Sequence, residues 1–440
     1  MHSSVQPANQ ALALVHADGR SSPAPAAVRR AVRGGIFGNF VDQFDIFLPV
    51  IALTPAAGAV FGPNNLVSNA GLVFVATLLG RPLGAAIFGP IADRFGRTQM
   101  TKIALAGIAL TTFLIALVPG YSVLGGGTLF IIVGLRFLGG VFLGGEYTSA
   151  VPLAMEWSVP RRRGLASGLI MWMSPWANAT IAGIVLVLLS TFTPEMYSVW
   201  GWRVPFLLGA ALAAAMLVYY RFVVLDSLTW TQAVKKANPL KEIFVGPQRR
   251  ALLQVFVLMS GLWLMTDMAI PVVTGELQVA SHLSAQSISF TMLCATVVSA
   301  VAMLTAGQLS TVMGRRTFFM CFGVLAAVVA PVTFLAIFHT NGLPIIVLLV
   351  VALQVVTVSG YGPVGAYLAE RFPAAVRSSG YGVGYSLSIV LPALYPYYLP
   401  TLQAALGQQT AIAALLSLGG VLVFIGGFTG PETNKISYLT

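Results

Sequence analysis

Twelve apolar stretches divide the chain, at roughly 33–54, 67–90, 99–120, 127–152, 163–191, 203–224, 251–274, 285–308, 316–338, 343–367, 378–402 and 408–428. Each is close to the ~20 mostly apolar residues that a helix needs to cross a bilayer. Short polar breaks rich in Gly, Pro and Arg separate them. The first, second, fourth and seventh contain charges, so those four rest on pattern and not on unbroken apolarity. The pattern predicts an all-α integral membrane protein with twelve transmembrane helices.

Basic residues orient these spans. Arg20, Arg29, Arg30 and Arg33 precede the first, Arg94, Arg97 and Lys102 flank the 2–3 turn, and Arg161, Arg162 and Arg163 fill the 4–5 turn. Arg221, Lys235, Lys236, Lys241, Arg249 and Arg250 surround the centre, Arg315 and Arg316 mark the 8–9 turn, Arg371 and Arg377 the 10–11 turn, and Lys435 the tail. The alternate loops carry only Arg203. Positive loops face the cytoplasm, which places both termini inside and makes the span count even.

Composition agrees. Of 440 residues, 57% are hydrophobic and 8% charged, against about 25% charged in soluble domains. The net charge of +11 follows from the topology and from attraction to anionic lipid, and needs no nucleic-acid partner. Cys294 and Cys321 lie within apolar spans without metal or disulfide spacing and read as small core residues. Residues 1–30 read as a disordered cytoplasmic arm without a signal sequence. Residues 225–250 read as a cytoplasmic linker with a short surface helix between Asp226 and Phe244, and 431–440 as a short cytoplasmic tail. No Walker sequence is present. Neither an enzyme nor an ATP-driven pump is expected, and no metal or organic cofactor is implied; energy comes from a gradient.

The chain repeats itself. Gly89-Pro-Ile-Ala-Asp93-Arg94-Phe-Gly96-Arg97 in the 2–3 turn has a weaker copy, Gly307-Gln-Leu-Ser-Thr311-Val-Met-Gly314-Arg315-Arg316, in the 8–9 turn. Glu156 precedes Arg163 across Pro160 in the 4–5 turn, as Glu370 precedes Arg377 across Pro373 in the 10–11 turn. Asp45 with Pro49-Val50 in the first span is echoed by Asp267 with Pro271-Val272 in the seventh. A duplicated membrane protein with a repeated basic turn points to two pseudo-symmetric six-helix bundles, 31–224 and 251–430, pivoting about a shared central site.

These motifs resemble the major facilitator superfamily and, within it, the metabolite:proton symporter family of proline/betaine, α-ketoglutarate, citrate and shikimate carriers. The likeness runs from the first span to the twelfth. It is carried by Gly38-Asn39-Phe40-Val41-Asp42-Gln43-Phe44-Asp45, Arg81-Pro82-Leu83-Gly84 leading into Gly89 and Asp93–Arg97, Arg136 with Gly144-Gly145-Glu146-Tyr147, and Tyr367 to Arg377. The resemblance implies the major facilitator fold and gating turns. Asp93 is expected to meet the N-terminus of the eleventh helix and Arg97 to meet Glu156, closing the cytoplasmic side. Departures are Thr311-Val312 where Asp-Arg is usual, Asp42-Gln43-Phe44 for Glu-Trp-Tyr, and Asp226-Ser227-Leu228 after the sixth span. Uncharged Thr311 can offer the fifth helix only a neutral cap, which predicts an asymmetric lock.

An ionisable group at membrane depth costs about 2.5–3.5 kcal/mol on insertion scales, so each is a functional candidate. Asp42 and Asp45 share a helix face and are candidates for carrying a coupling proton. Asp267 is a third, the alternative being a cavity-lining residue that meets water. Arg136, about 15 Å into the fourth helix, either binds a substrate carboxylate bidentately or neutralises Asp42 or Asp45; Arg81 poses the same choice. Trp172, Trp176 and Trp263 either shape the cavity or act as packing and interface anchors. Glu146 is grouped with the gating elements Gly89, Asp93, Arg94, Gly96, Arg97, Glu156, Arg163, Gly314, Arg315, Glu370 and Arg377, with a basic residue at the cytoplasmic end as one expected partner. Glu276 and His282 are expected solvated at the outer edge.

The reading that results is a multi-pass protein of the bacterial cytoplasmic (inner) membrane, expected as a monomer, that imports a small carboxylate or zwitterionic metabolite with protons. The alternative is a proton-driven exporter of drugs or toxic metabolites. Ser174-Pro175-Trp176-Ala177-Asn178 in the fifth span lacks the Gly-Pro-x-x-Gly-Gly of such exporters, which favours import.

Overall fold

The computed structural model describes residues 13–15, 21–23, 25–62, 66–279 and 283–436. Among them, eleven helices are long and apolar enough to cross a membrane: Pro25–Phe61, Gly71–Phe95, Arg97–Leu117, Gly127–Trp157, Pro160–Thr191, Pro194–Phe222, Arg249–Gln278, Gln286–Met313, Arg315–Phe338, Leu343–Arg371 and Gln408–Thr429. They match the first ten apolar stretches and the twelfth, and keep those ordinal numbers below. The eleventh stretch differs. It is three shorter helices, Arg377–Leu387, Val390–Ala393 and Tyr395–Leu406. Pro392, Pro396 and Pro400 crowd this segment, and each removes a backbone donor and clashes with the turn before it.

Within the first half, span 4 packs on spans 1, 2 and 3, and span 6 on span 3; within the second, span 12 packs on 7 and 9, and span 10 on 8 and 9. The largest contacts between the halves are span 5 against span 8 and span 2 against the Arg377–Leu387 helix. Spans 2 and 4 touch backbone to backbone. A Cβ added at Gly80 or Gly84 would overlap the carbonyl oxygen of Phe137 or Val141, and one at Gly140 or Gly144 that of Thr77 or Arg81. Large apolar side chains such as Phe130, Phe222, Val328 and Leu348 face outward, a perimeter that suits lipid and would be a liability in water.

Several local expectations are corrected. The first helix begins at Pro25, inside the segment expected to be disordered, and the arm also holds strands Ala13–Val15 and Ser21–Pro23 paired antiparallel. The linker forms two helices, Leu228–Gln232 and Pro239–Phe244, in place of one, because Asn238 caps and Pro239 opens a second helix. Cys321 is exposed and Cys294 only half-buried, so neither is a core residue. Glu276 is buried and accepts both Nε2 hydrogen bonds of Gln408 at 3.0 Å, so it is not solvated. His282 and Arg20 lie outside the described residues.

Candidate functional site

The two gating turns build matching charge clusters. Glu156, at the end of span 4, forms ion pairs with Arg97 at the start of span 3 and with Arg377 at the start of the eleventh segment, and accepts the Ser227 hydroxyl. Glu370, at the end of span 10, pairs with Arg315 at 3.2 Å and with Arg163 at 3.1 Å, and accepts the Thr433 hydroxyl at 2.8 Å. Each glutamate thus holds one arginine of its own half and one of the other. All six charged groups are buried. A buried carboxylate needs that many donors to offset the loss of water.

Asp93 extends the first cluster. Its carboxylate accepts the backbone N–H groups of Ser378 and Ser379, both at 2.9 Å, and the Ser379 hydroxyl at 2.7 Å. It caps the N-terminus of the Arg377–Leu387 helix, where unpaired N–H groups and the helix dipole favour an anion. Gly89 lets span 2 come this close, since a Cβ there would lie 2.8 Å from the Ser379 Cα. Thr311, at the matching position, accepts a hydrogen bond from Arg315 at 3.0 Å. It lies against Gly164 at the start of span 5, but its hydroxyl is engaged with Arg315, so the expected neutral cap takes the form of a side-chain contact. Arg94 is exposed and stacks 5.7 Å from the Phe95 ring, apart from the lock.

Sequence reasoning missed one further repeat. Asp226, after span 6, accepts the Thr98 N–H at 2.8 Å, and Glu432, after span 12, accepts those of Arg315 and Arg316 at 2.7 and 3.1 Å. The acid caps the helix that opens after the turn, and the hydroxyl residue next to it, Ser227 or Thr433, bonds the lock glutamate. Gly96 and Gly314, with φ of 116° and 97°, sit where these acids arrive. Only glycine adopts that backbone freely and leaves room for the carboxylate.

At the centre, the first span lays out its acids in pairs with arginines. Asp42 Oδ2 pairs with Arg81 Nη1 at 3.2 Å, and Asp45 Oδ2 with Arg136 Nη2 at 2.8 Å. The Asp45 pair is heavily bonded: Arg136 also donates to the Asp45 carbonyl at 2.7 Å and to Thr77 at 3.2 Å, and Asp45 accepts the Thr112 hydroxyl. The Asp42 pair is not. Asp42 Oδ1 and Arg81 Nη2 are buried with no hydrogen-bond partner among the described residues. The Arg81 guanidinium lies 5.5 Å from the Tyr147 ring and 5.9 Å from the Tyr385 ring, so aromatic residues of both halves flank it. Tyr147 packs on Tyr385 at 4.3 Å, and Trp263 meets Tyr361 and Tyr385 edge-on at 5.3 Å. Trp172 and Trp176 form an edge-on pair at 6.2 Å, with Trp176 exposed. Gln43 links Asp42 to Ser174 of span 5.

Asp267 stands apart. It ends the regular part of span 7, which continues through a π-helical turn, Met268–Val272, around Pro271. Its Oδ2 has no hydrogen-bond partner among the described residues, and Tyr361, Tyr395 and Tyr398 lie within its electrostatic reach. Glu146 is also buried, and neither of its oxygens has a hydrogen-bond partner among the described residues. The basic partner expected at the cytoplasmic end is not there, because Glu146 lies about 15 Å before Glu156 along the same helix, well short of the lock arginines. The tyrosines at 147, 361, 381 and 385 escaped sequence reasoning. Tyr147 was quoted only as part of a motif, and the signal for Tyr381 and Tyr385 was their spacing of four in the glycine-rich run Gly380-Tyr381-Gly-Val-Gly-Tyr385.

Comparison with known proteins bears on what such a site serves. The model of the Major Facilitator Superfamily matches residues 35–387. The α-ketoglutarate permease of Escherichia coli is 29% identical over 405 residues, covering 90% of this chain and 92% of its own. The citrate-proton symporter of Klebsiella pneumoniae is 28% identical over 405 residues, covering 85% and 84%. Among solved structures, the proton:xylose symporter XylE bound to 6-bromo-6-deoxy-D-glucose superposes with a TM-score of 0.76 at 16% identity, covering 94% of this chain and 98% of that one. That likeness concerns the fold.

Proposed function

Because the chain belongs to the Major Facilitator Superfamily, and is therefore a multi-pass inner-membrane transporter and not an enzyme, we propose that it imports a small carboxylate metabolite together with protons by alternating access. In this reading the proline-broken segment 377–406 is a twelfth span, the two halves are six-helix bundles, and both termini are cytoplasmic. The coupling ion is the proton and no other cofactor takes part.

The observation that carries this reading is the under-bonded Asp42–Arg81 pair, flanked by Tyr147 of one half and Tyr385 of the other. A guanidinium with unused donors binds a carboxylate bidentately. The aromatic rings beside it favour the cation and exclude water. A substrate carboxylate that takes Arg81 releases Asp42, so anion binding changes the charge of the first span at the junction of the halves. The Asp45–Arg136 pair, with more hydrogen bonds, holds the span in place. The two lock clusters keep the cytoplasmic side shut meanwhile, and their ion pairs must break for the substrate to leave inward. The names of the two relatives support a carboxylate; zwitterions remain within the same proposal, since their carboxylate would engage Arg81 equally.

Uptake into proteoliposomes under an imposed inward proton gradient tests it, with labelled carboxylates, betaines and aromatic acids screened beside Arg81→Lys and Asp45→Asn. Accumulation that a protonophore abolishes, and that Arg81→Lys reduces at least about tenfold by loss of the bidentate contact, is the expected result. Efflux of preloaded compound under the same gradient would overturn the direction of transport.

A further inference from the structure

Glu146 is 1% exposed, yet its two carboxylate oxygens have no hydrogen-bond partner among the described residues. An ionised carboxylate in that state is far too costly to keep, whereas a protonated one is tolerable. The surrounding geometry is specific. Oε1 faces Gly38, where an added Cβ would lie only 2.5 Å away. Gly38 is four residues before Asp42, about one helical turn or 6 Å along the span. Glu146 therefore stands one turn from the substrate-switching pair, on the side of the cytoplasmic lock, and about 15 Å from Glu156 on its own helix.

The titratable groups around it come from each span that packs there: Asp42 of span 1, Arg81 of span 2, Tyr220 of span 6 and Tyr381 of the Arg377–Leu387 helix. Asp42 Oδ1, Arg81 Nη2 and the hydroxyls of Tyr220 and Tyr381 are likewise without hydrogen-bond partners among the described residues. Unsatisfied polar atoms are rare in native interiors, and a concentration of them around one acid marks a functional place. Nor is Glu146 part of the duplicated lock. The offset that carries Glu156 to Glu370 carries Glu146 to Gly360, so its acid has no counterpart in the second half.

We propose that Glu146 is the proton-binding residue of the transport cycle, coupled to substrate through Asp42 and Arg81; this rests on the symport reading above. While the cytoplasmic lock is shut and Arg81 pairs with Asp42, Glu146 is sealed from cytoplasmic water and holds a proton taken from water on the outer side. When a substrate carboxylate takes Arg81, Asp42 is left as an uncompensated anion, and two neighbouring carboxylates cannot both be charged there. Glu146 then keeps its proton until the substrate leaves. On substrate release Arg81 returns to Asp42. The O–H bond of the Glu146 carboxyl breaks, its electron pair stays on the carboxylate, and the proton passes to water on the opened cytoplasmic side. Proton and substrate thus cross together.

Two measurements on the full-length protein test this. Infrared difference spectra of the purified protein near neutral pH need no substrate. A component of the protonated-carboxyl C=O band is expected to be lost in Glu146→Gln, the remainder belonging to other buried acids such as Asp267; a band that persists unchanged in the variant overturns the proposal. In proteoliposomes, one coupled proton under a gradient of one pH unit supports up to about tenfold accumulation. With radiolabelled α-ketoglutarate and citrate as probes, Glu146→Gln is expected to fall to simple equilibration while keeping substrate counterflow. Gradient-driven accumulation by Glu146→Gln equal to wild type would sink the inference and leave the symport reading intact. Absence of gradient-driven accumulation in the wild type would sink the symport reading instead, and the infrared band would still decide about Glu146. If glutamine prevents folding, Glu146→Asp replaces it: a shifted pH midpoint of the band supports the assignment and an unshifted one refutes it.

Discussion

The first-half and second-half locks share their charges but differ in how they are finished. Around Glu156, the cap on the opposite half's helix comes from a carboxylate within the gating turn itself, Asp93 bonded to Ser378 and Ser379. Around Glu370, the matching Thr311 bonds Arg315, and much of the stitching comes from the tail. Thr433 bonds Glu370, Asn434 donates to the Thr311 carbonyl at 3.3 Å, and the Ile436 carbonyl accepts from Arg163 at 2.9 Å. One lock is closed by the 2–3 turn itself and the other by the chain's last described residues. Duplicated halves need conserve only the charge balance of a cluster, and can draw the remaining donors from wherever the chain passes.

The largest effect should come from the shared part. Glu156→Gln and Glu370→Gln each leave two arginines without their full charge partner, and breaking a buried pair costs about 3–5 kcal/mol. Both should lower the thermal midpoint of the detergent-purified protein strongly and to a similar degree. A marked loss in one alone would show that the two clusters are not equivalent.

The next effect should separate the locks. Asp93→Asn removes charge-assisted bonds worth about 1.5–3 kcal/mol each, enough to shift the closed–open balance about tenfold or more. Thr311→Ala should shift it far less. Spin labels on the exposed positions Phe95 and Val312, in a background lacking both cysteines, would report the opening of the locked end. Equal broadening of the distance distribution by both substitutions would end the asymmetry argument.

Smaller still are the hydroxyls. Ser227→Ala and Thr433→Val should each cost about 1 kcal/mol, a typical single hydrogen bond, measurable as matching small drops in thermal midpoint. Unequal drops would show that the tail and the linker are not interchangeable. At the bottom lies Arg94→Ala. Although it belongs to the most recognisable motif in the chain, Arg94 is exposed and outside the lock, so uptake should stay within error of wild type.

The charges were legible in the sequence because each is expensive at membrane depth, and the repeated turns fixed Arg97, Arg163, Arg315, Arg377 and both glutamates as a set. Which arginine meets which glutamate was only half legible. Glu156 takes Arg377 from the far half because span 2 packs on the eleventh segment, and that contact is tertiary. The Asp226-Ser227 and Glu432-Thr433 pair was hidden because spans and loops of unequal length in the two halves give it an offset shorter than those of the other repeats, and because both residue types change. The central tyrosines were invisible for a different reason: in an apolar span Tyr reads as ordinary packing until its hydroxyl is placed. The break in the eleventh segment was written in Pro392, Pro396 and Pro400 but masked by the apolarity between them.

The glycine seam between spans 2 and 4 has a mechanical consequence. Asp93 and Glu156 stand at one end of these two helices, Arg81 and Arg136 in their middle, and carbonyl-to-glycine contact fuses the pair into one plate. Any tilt that frees the locked end must carry both arginines with it, by rigid leverage and not by relay through side chains. The lock acids and the central arginines are cut from the same solid piece, so a bulkier residue in the seam should decouple them while leaving each chemically whole.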